Sequence, residues 1–156
     1  MSHPNASLTD ADAAAERGDH TTALRLLKAA ATEAPNDTAV AYRLGAEYAH
    51  LELFDAAETE MARALADEQD HPVARFHLGL LQITRGRFED ALQTWQPLDA
   101  LPDTHALRRY KQGFEHLAND AFAPARERLE AGLAASGSAP ALDRDMRRLL
   151  ASLPPD

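Results

Sequence analysis

Gly45, Gly79 and Gly113 stand 34 residues apart, and four further series keep the same step. Phe54, Phe88 and Phe122 form one, and Tyr42, Phe76 and Tyr110 another. Ala23, Ala57, Ala91 and Ala125 form a third, and Leu27, Met61, Trp95 and Leu129 a fourth. Self-similarity at a fixed period of roughly 20–50 residues restricts a chain to stacked units, each too small to bury its own apolar face. The blocks run 4–37, 38–71, 72–105 and 106–139, within one domain spanning 1–156.

Each block divides into two helical halves. In the second block, Tyr42, Leu44, Gly45, Tyr48 and Leu51 fall on a first helix. Phe54, Ala57, Met61, Ala64 and Leu65 follow on a second, at spacings that put side chains on one helical face. Short breakers separate the halves: Gly18-Asp19, Glu52-Leu53, Gly86-Arg87 and Asn119-Asp120. Pro35 marks the end of the first block, and Pro72 sits where the third begins. Glycine and alanine at fixed places permit close helix contact, while the recurrent aromatics fill the space between units.

This pattern resembles the tetratricopeptide repeat family, whose unit is a helix–turn–helix of about 34 residues. The family places a small residue in the first helix, where the second packs closely; Gly45, Gly79 and Gly113 match it, with Ala11 in the first block. A second small residue, early in the second helix, is matched by all four alanines of the series. The turn aromatic is matched by Phe54, Phe88 and Phe122, with His20 in the first block. Ala30, Ala64 and Gly132 match a third small place, late in the second helix. The resemblance covers about residues 4–139. It implies an all-α fold, an α-solenoid of four helix pairs.

The departures carry information too. Leu98 stands where a small residue is usual, after Pro97, which removes a helical hydrogen bond. The second helix of block three is therefore predicted to kink or stop early, leaving 97–103 as a longer, irregular connection. Pro124 falls in a first helical turn, where proline is tolerated. Residues 140–153 read as one more helix, with Leu142, Met146, Leu149, Leu150 and Leu153 on one face. Such a helix would cover the open end of the stack; a homodimer contact through the same stripe is the alternative.

Composition narrows the function. The net charge of −9 argues against nucleic acid as a partner, because phosphate binding wants clustered Lys and Arg. Residues 1–105 carry 18 acids and 8 bases, residues 106–150 only 6 acids and 8 bases. There is no cysteine, so disulfides and thiolate metal sites are excluded. The segment MSHPNASLTD lacks the basic and apolar runs of a secretory signal, and no apolar stretch is long enough to insert in a membrane. The address expected is cytoplasmic. Arginine outnumbers lysine 14 to 2, which together with abundant alanine suggests a GC-rich bacterial genome.

Catalytic motifs are absent: there is no P-loop, GxGxxG, GxSxG or HExxH. The histidines are His3, His20, His50, His71, His77, His105 and His116. Glu47 and His50, one turn apart, could hold a metal in a metal-dependent enzyme, but no second pair accompanies them. The acids from Glu52 to Asp70 are spread around a helix and read as a solvated face. No enzyme and no cofactor is expected.

The resemblance implies a concave groove lined by first helices. Leu8, Tyr42, Phe76 and Tyr110 take equivalent places in it, with Leu80 and Phe114, then Ile83 and Leu117, one and two turns on. Arg43, His77 and Lys111 stand beside the strip. These residues either line the groove or pack between neighbouring first helices. The asparagine of the family's carboxylate clamp is missing, its places held by Asp12, Ala46, Leu80 and Phe114. The expectation is a scaffold, an adaptor or co-chaperone, that binds a protein or peptide segment through apolar anchors. A secretion-type chaperone, or an assembly factor for a cell-envelope machine, is the alternative. A self-assembling structural module lies further off.

Overall fold

The computed structural model describes residues 4–66 and 71–155, so His3 and the acids Asp67, Glu68 and Asp70 lie outside the described residues. Among the described residues there are nine α-helices, one 3-10 turn and no strand. The first helices are α1 (Pro4–Glu16), α3 (Thr38–His50), α5 (Pro72–Thr84), α7 (Ala106–Ala118) and α9 (Pro140–Ser152). The second helices are α2 (His20–Glu33), α4 (Phe54–Ala66), α6 (Phe88–Trp95) and α8 (Phe122–Ala134). Within each kind, every helix starts 34 residues after the one before. The period read in the sequence is the period of the fold.

Each pair turns through one residue in the left-handed region. Gly18, Glu52, Gly86 and Asp120 have φ of 78°, 61°, 77° and 56°. The amide after each donates back to the first helix: Asp19 to Ala14, Leu53 to Tyr48, Arg87 to Gln82 and Ala121 to His116, at 2.8–3.0 Å. This is the Schellman geometry, and it satisfies carbonyls that a helix end leaves without partners. The breakers of the sequence are these turns.

Helix starts repeat as well. The Asp37 carboxylate accepts from the Ala39 amide at 2.9 Å, ahead of α3. His71 and His105, one and two periods on, do the same work through Nδ1, accepting from Ala74 at 3.2 Å and Leu107 at 3.1 Å. A capping histidine keeps Nδ1 unprotonated. Burial lowers the pKa of His105 below the usual histidine range, which favours that state.

Backbone contacts gather in two compact units, Met1–Ala74 and Arg75–Asp156, the division falling inside α5. In the first unit, α1 packs on α2, α2 on α3 and α3 on α4. Its core joins Leu8, Ala11, Leu27, Ala30, Val40 and Leu44. The Arg43 guanidinium grips Asp12 with two bonds, 2.9 and 3.2 Å, and so ties α3 to α1.

In the second unit, α7 packs on α8 and α8 on α9. Its core is more aromatic: Phe76 stacks on Trp95 at 4.8 Å, and Phe114 meets both rings edge-on. Tyr110 is fully buried, its hydroxyl donating to Asp143 at 2.5 Å. Leu142 and Met146 bury the inner face of α9. By register α9 is a further first helix, and exposed Arg147 holds the place of Gly113. A second helix could not approach α9 there as α8 approaches α7, which suits a capping role.

The glycines of the repeat are fixed by what they touch. A Cβ on Gly45 would sit 3.1 Å from the end of Met61, one on Gly113 2.8 Å from Leu129, and one on Gly79 only 2.0 Å from the Trp95 indole. Gly79→Ala should therefore destabilise the fold by about 1–3 kcal/mol. Gly45→Ala should cost less, about 1 kcal/mol or under, because the Met61 tip can move, the Ala57 carbonyl at 3.2 Å and Glu60 Cβ at 3.3 Å need shift only by tenths of an ångström, and alanine favours helix. Chemical denaturation of both variants checks this; equal losses would contradict the contrast.

The turns support a second expectation. Nothing lies within 4 Å of a Cβ on Gly18 or Gly86, so only backbone conformation speaks there. Glu52→Gly and Asp120→Gly should stabilise by about 0.5–1 kcal/mol, and Gly18→Ala and Gly86→Ala should destabilise by about 1 kcal/mol. Thermal melts of the four variants read the signs.

Candidate functional site

Pro97 shapes the third pair. α6 stops at Trp95 after 8 residues, and Gln96–Ala100 continue as a 3-10 turn. The early stop follows the sequence expectation, and the connection is more regular than expected. Leu98 is buried, so the turn folds inward where a longer helix would have run on.

Beside this shortened helix lies a cleft of about 990 Å³, bounded by the end of α5, by α6, by the 3-10 turn and by α7. Ile83, Phe88, Ala91, Leu92, Trp95, Phe114, Leu117 and Ala118 give it an apolar lining. Phe88 and Leu92, one turn apart on α6, are each 62% exposed. The turn aromatics were expected to fill space between units, and Phe88 does not. It stands at the cleft instead.

The rim is polar and internally paired. Lys111 Nζ meets Asp99 Oδ1 at 2.5 Å and Glu115 Oε1 at 3.7 Å. The Lys111 hydrogen bond holds the Asp99 carboxyl below the usual carboxylate range. Arg108 donates to the carbonyls of Asp99 at 2.6 Å and Leu101 at 3.0 Å, pinning the end of the 3-10 turn to α7. Asp99, Arg108, Lys111 and Glu115 together leave the rim without net charge. An apolar floor inside a neutral polar rim suits apolar anchors rather than an ion.

Of the residues singled out in the sequence, Ile83, Lys111, Phe114 and Leu117 line this cleft. The aromatic row does not. Phe76 and Tyr110 are fully buried, and Tyr42 and Leu8 nearly so. Of the two roles left open for them, Phe76 and Tyr110 fill the packing one, their rings 5.8 Å apart in one core. Phe76 supports the cleft from beneath, through Trp95 and Phe114. Tyr42 packs beside His71 at 5.7 Å, Arg43 is engaged by Asp12, and Leu80 is half-buried. The residues not anticipated are Phe88, Leu92, Trp95, Asp99 and Arg108. Spacing gave no separate signal for Phe88 and Leu92: positions 88, 91, 92 and 95 recur at i, i+3, i+4 and i+7 and read as one core-facing stripe.

The histidines answer to structure. His20 Nδ1 lies 2.7 Å from Glu47 Oε2, and its ring stacks on His50 at 3.8 Å. Glu47 and His50 are thus engaged by a third side chain. Among the described residues, no group of three or more His, Asp and Glu is arranged to hold a metal. Also among them, no helix is long and apolar enough to cross a membrane.

His77 is buried, and desolvation lowers its pKa to about 4. Its Nε2 lies 3.5 Å from Asp145 Oδ2, a long polar contact while the ring is neutral. Burial pushes the Asp145 carboxyl up, opposed by Arg148 and Arg144. An unfolded chain binds the His77 proton near pH 6.5, and the folded chain does not until about pH 4. Stability should fall as pH drops through that window, by about 1–3 kcal/mol. Urea melts across it should show the loss, and His77→Gln should flatten it; an unchanged slope in the variant would place the effect elsewhere.

Similarity to known proteins agrees with this architecture. The family model described as tetratricopeptide repeat matches residues 14–75. TTC0263, a thermophilic TPR protein of Thermus thermophilus, superposes with a TM-score of 0.74 at 18% identity, over 97% of this chain and 81% of that one. MamA of Desulfovibrio magneticus gives 0.64 at 21%, over 83% and 73%. A further MamA crystal structure gives 0.65 at 16%, over 94% and 81%. No curated protein matches the sequence. Residues 14–75 match the tetratricopeptide repeat model, and the chain as a whole has the all-helical fold of solved tetratricopeptide repeat proteins.

Proposed function

We propose that this chain is a protein-interaction scaffold, an adaptor or co-chaperone, which takes a partner segment with apolar anchors into the cleft between α6 and α7. The tetratricopeptide fold is generally a protein-binding module rather than an enzyme, and the cleft makes that reading specific. Phe88 and Leu92 carry it: two large apolar side chains, each 62% exposed, border a recess of about 990 Å³ floored by Trp95 and Phe114. Anchors entering such a recess gain by leaving water, and a few of them dominate the affinity. The paired rim adds orientation without a net field.

The test begins with capture of the natural partner from extract of the native cell, then titration calorimetry. Phe88→Ala with Leu92→Ala should weaken binding by about 2–4 kcal/mol while helicity is kept, because neither side chain is buried. Glu130→Lys, at an exposed place on α8, should leave affinity unchanged. Full binding by the double variant would move the site elsewhere on the chain.

A further inference from the structure

Among the described residues, exposed large apolar side chains gather at two places. One is the rim of the cleft, with Phe88 and Leu92. The other is the turn between α3 and α4, where Leu51 is 43% and Leu53 50% exposed, on either side of Glu52. The repeat supplies its own control for that turn. The places equivalent to Leu51 hold Arg17, Arg85 and Asn119, and those equivalent to Leu53 hold Asp19, Arg87 and Ala121. All four turns share one backbone conformation, so the fold does not call for leucine in any of them. The second turn alone is an apolar tip.

We infer that the cleft takes the Leu51–Leu53 turn of a second copy of this chain. The inference rests on the cleft being a protein-binding site, and it names the occupant. Charge favours this pairing over the alternatives. Residues 1–74 carry 14 acids and 5 bases, while residues 75–156 carry 11 of each. Two copies meeting through their acidic units would repel, whereas an acidic unit meets no repulsion at a neutral one. Locally, exposed Glu52 and Asp55 flank the tip, and the rim, whose Lys111 is paired with Asp99 and Glu115, sets no net negative charge against them. A tip on one copy seated in a recess on another is a heterologous contact, in which the two surfaces differ. The buried surface is small, so the association belongs to the weak, concentration-dependent class.

Sedimentation over a micromolar-to-millimolar series reads it. The wild-type chain should gain mass with concentration. Leu51→Glu with Leu53→Glu removes the tip, and Leu92→Glu, separately, spoils the cleft; each should weaken association about tenfold or more. Circular dichroism confirms that each variant is folded, as the exposed positions lead one to expect. The decisive arm mixes the two. The tip variant keeps its cleft and the cleft variant keeps its tip, so together they should associate with wild-type affinity. A wild-type chain that stays monomeric throughout overturns the inference, as does a tip variant that associates normally or a mixture that does not associate. If the chain is monomeric yet a captured protein still depends on Phe88 and Leu92, the cleft reading survives and its occupant is another protein.

Discussion

Three of the helix pairs close on one contact, between a glycine of the first helix and a large residue of the second. Gly45 meets Met61, Gly79 meets Trp95 and Gly113 meets Leu129. The glycine lets the second helix come near enough for the large side chain to lie across the backbone of the first. In the third pair that side chain is an indole, and its Nε1 donates to the Phe76 carbonyl at 2.9 Å. Phe76, Phe114 and Tyr110 then collect around it, so the aromatic core of the second unit is organised by the space a missing Cβ leaves.

The cleft follows from the same contact together with Pro97. Trp95 fixes the end of α6 against α5, and the proline turns the chain inward directly after it. Phe88 and Leu92, at the start of the short helix, are left facing outward beside α7. The rim neutralises itself through Lys111, Asp99 and Glu115. What remains offers apolar surface in a concave frame, and that is the physical description of a place where another protein can set its anchors.

Much of this was legible because a repeat states its rule several times. One glycine or one phenylalanine would say little; a series at constant spacing gave the helix pairs and their turns, while the apolar stripe from Leu142 to Leu153 gave the helix from Pro140. The site was legible only in part. A period assigns equivalent residues to equivalent places, and so it grouped Tyr42, Phe76 and Tyr110 as one row. Exposure depends on what lies opposite, and Gly132, whose Cβ would fall 2.4 Å from the Tyr110 ring, shows how closely that row is covered. Phe88 was misjudged for the converse reason: its series is half-buried at Phe54 and Phe122, whereas Phe88 is 62% exposed at the start of α6. The capping histidines escaped because imidazole rarely serves where aspartate does at Asp37.

Trp95 is the only tryptophan in the chain, and it belongs to the second unit. Tryptophan emission is therefore a local voice. It reports the packing of Phe76 and Phe114 and the floor of the cleft, and it is silent about Met1–Ala74. A melt followed by that emission and one followed by far-ultraviolet dichroism would coincide only if both units lose their structure together. The two curves, overlaid, would measure how far the units share one fate, and the chain carries the probe for that measurement without any label.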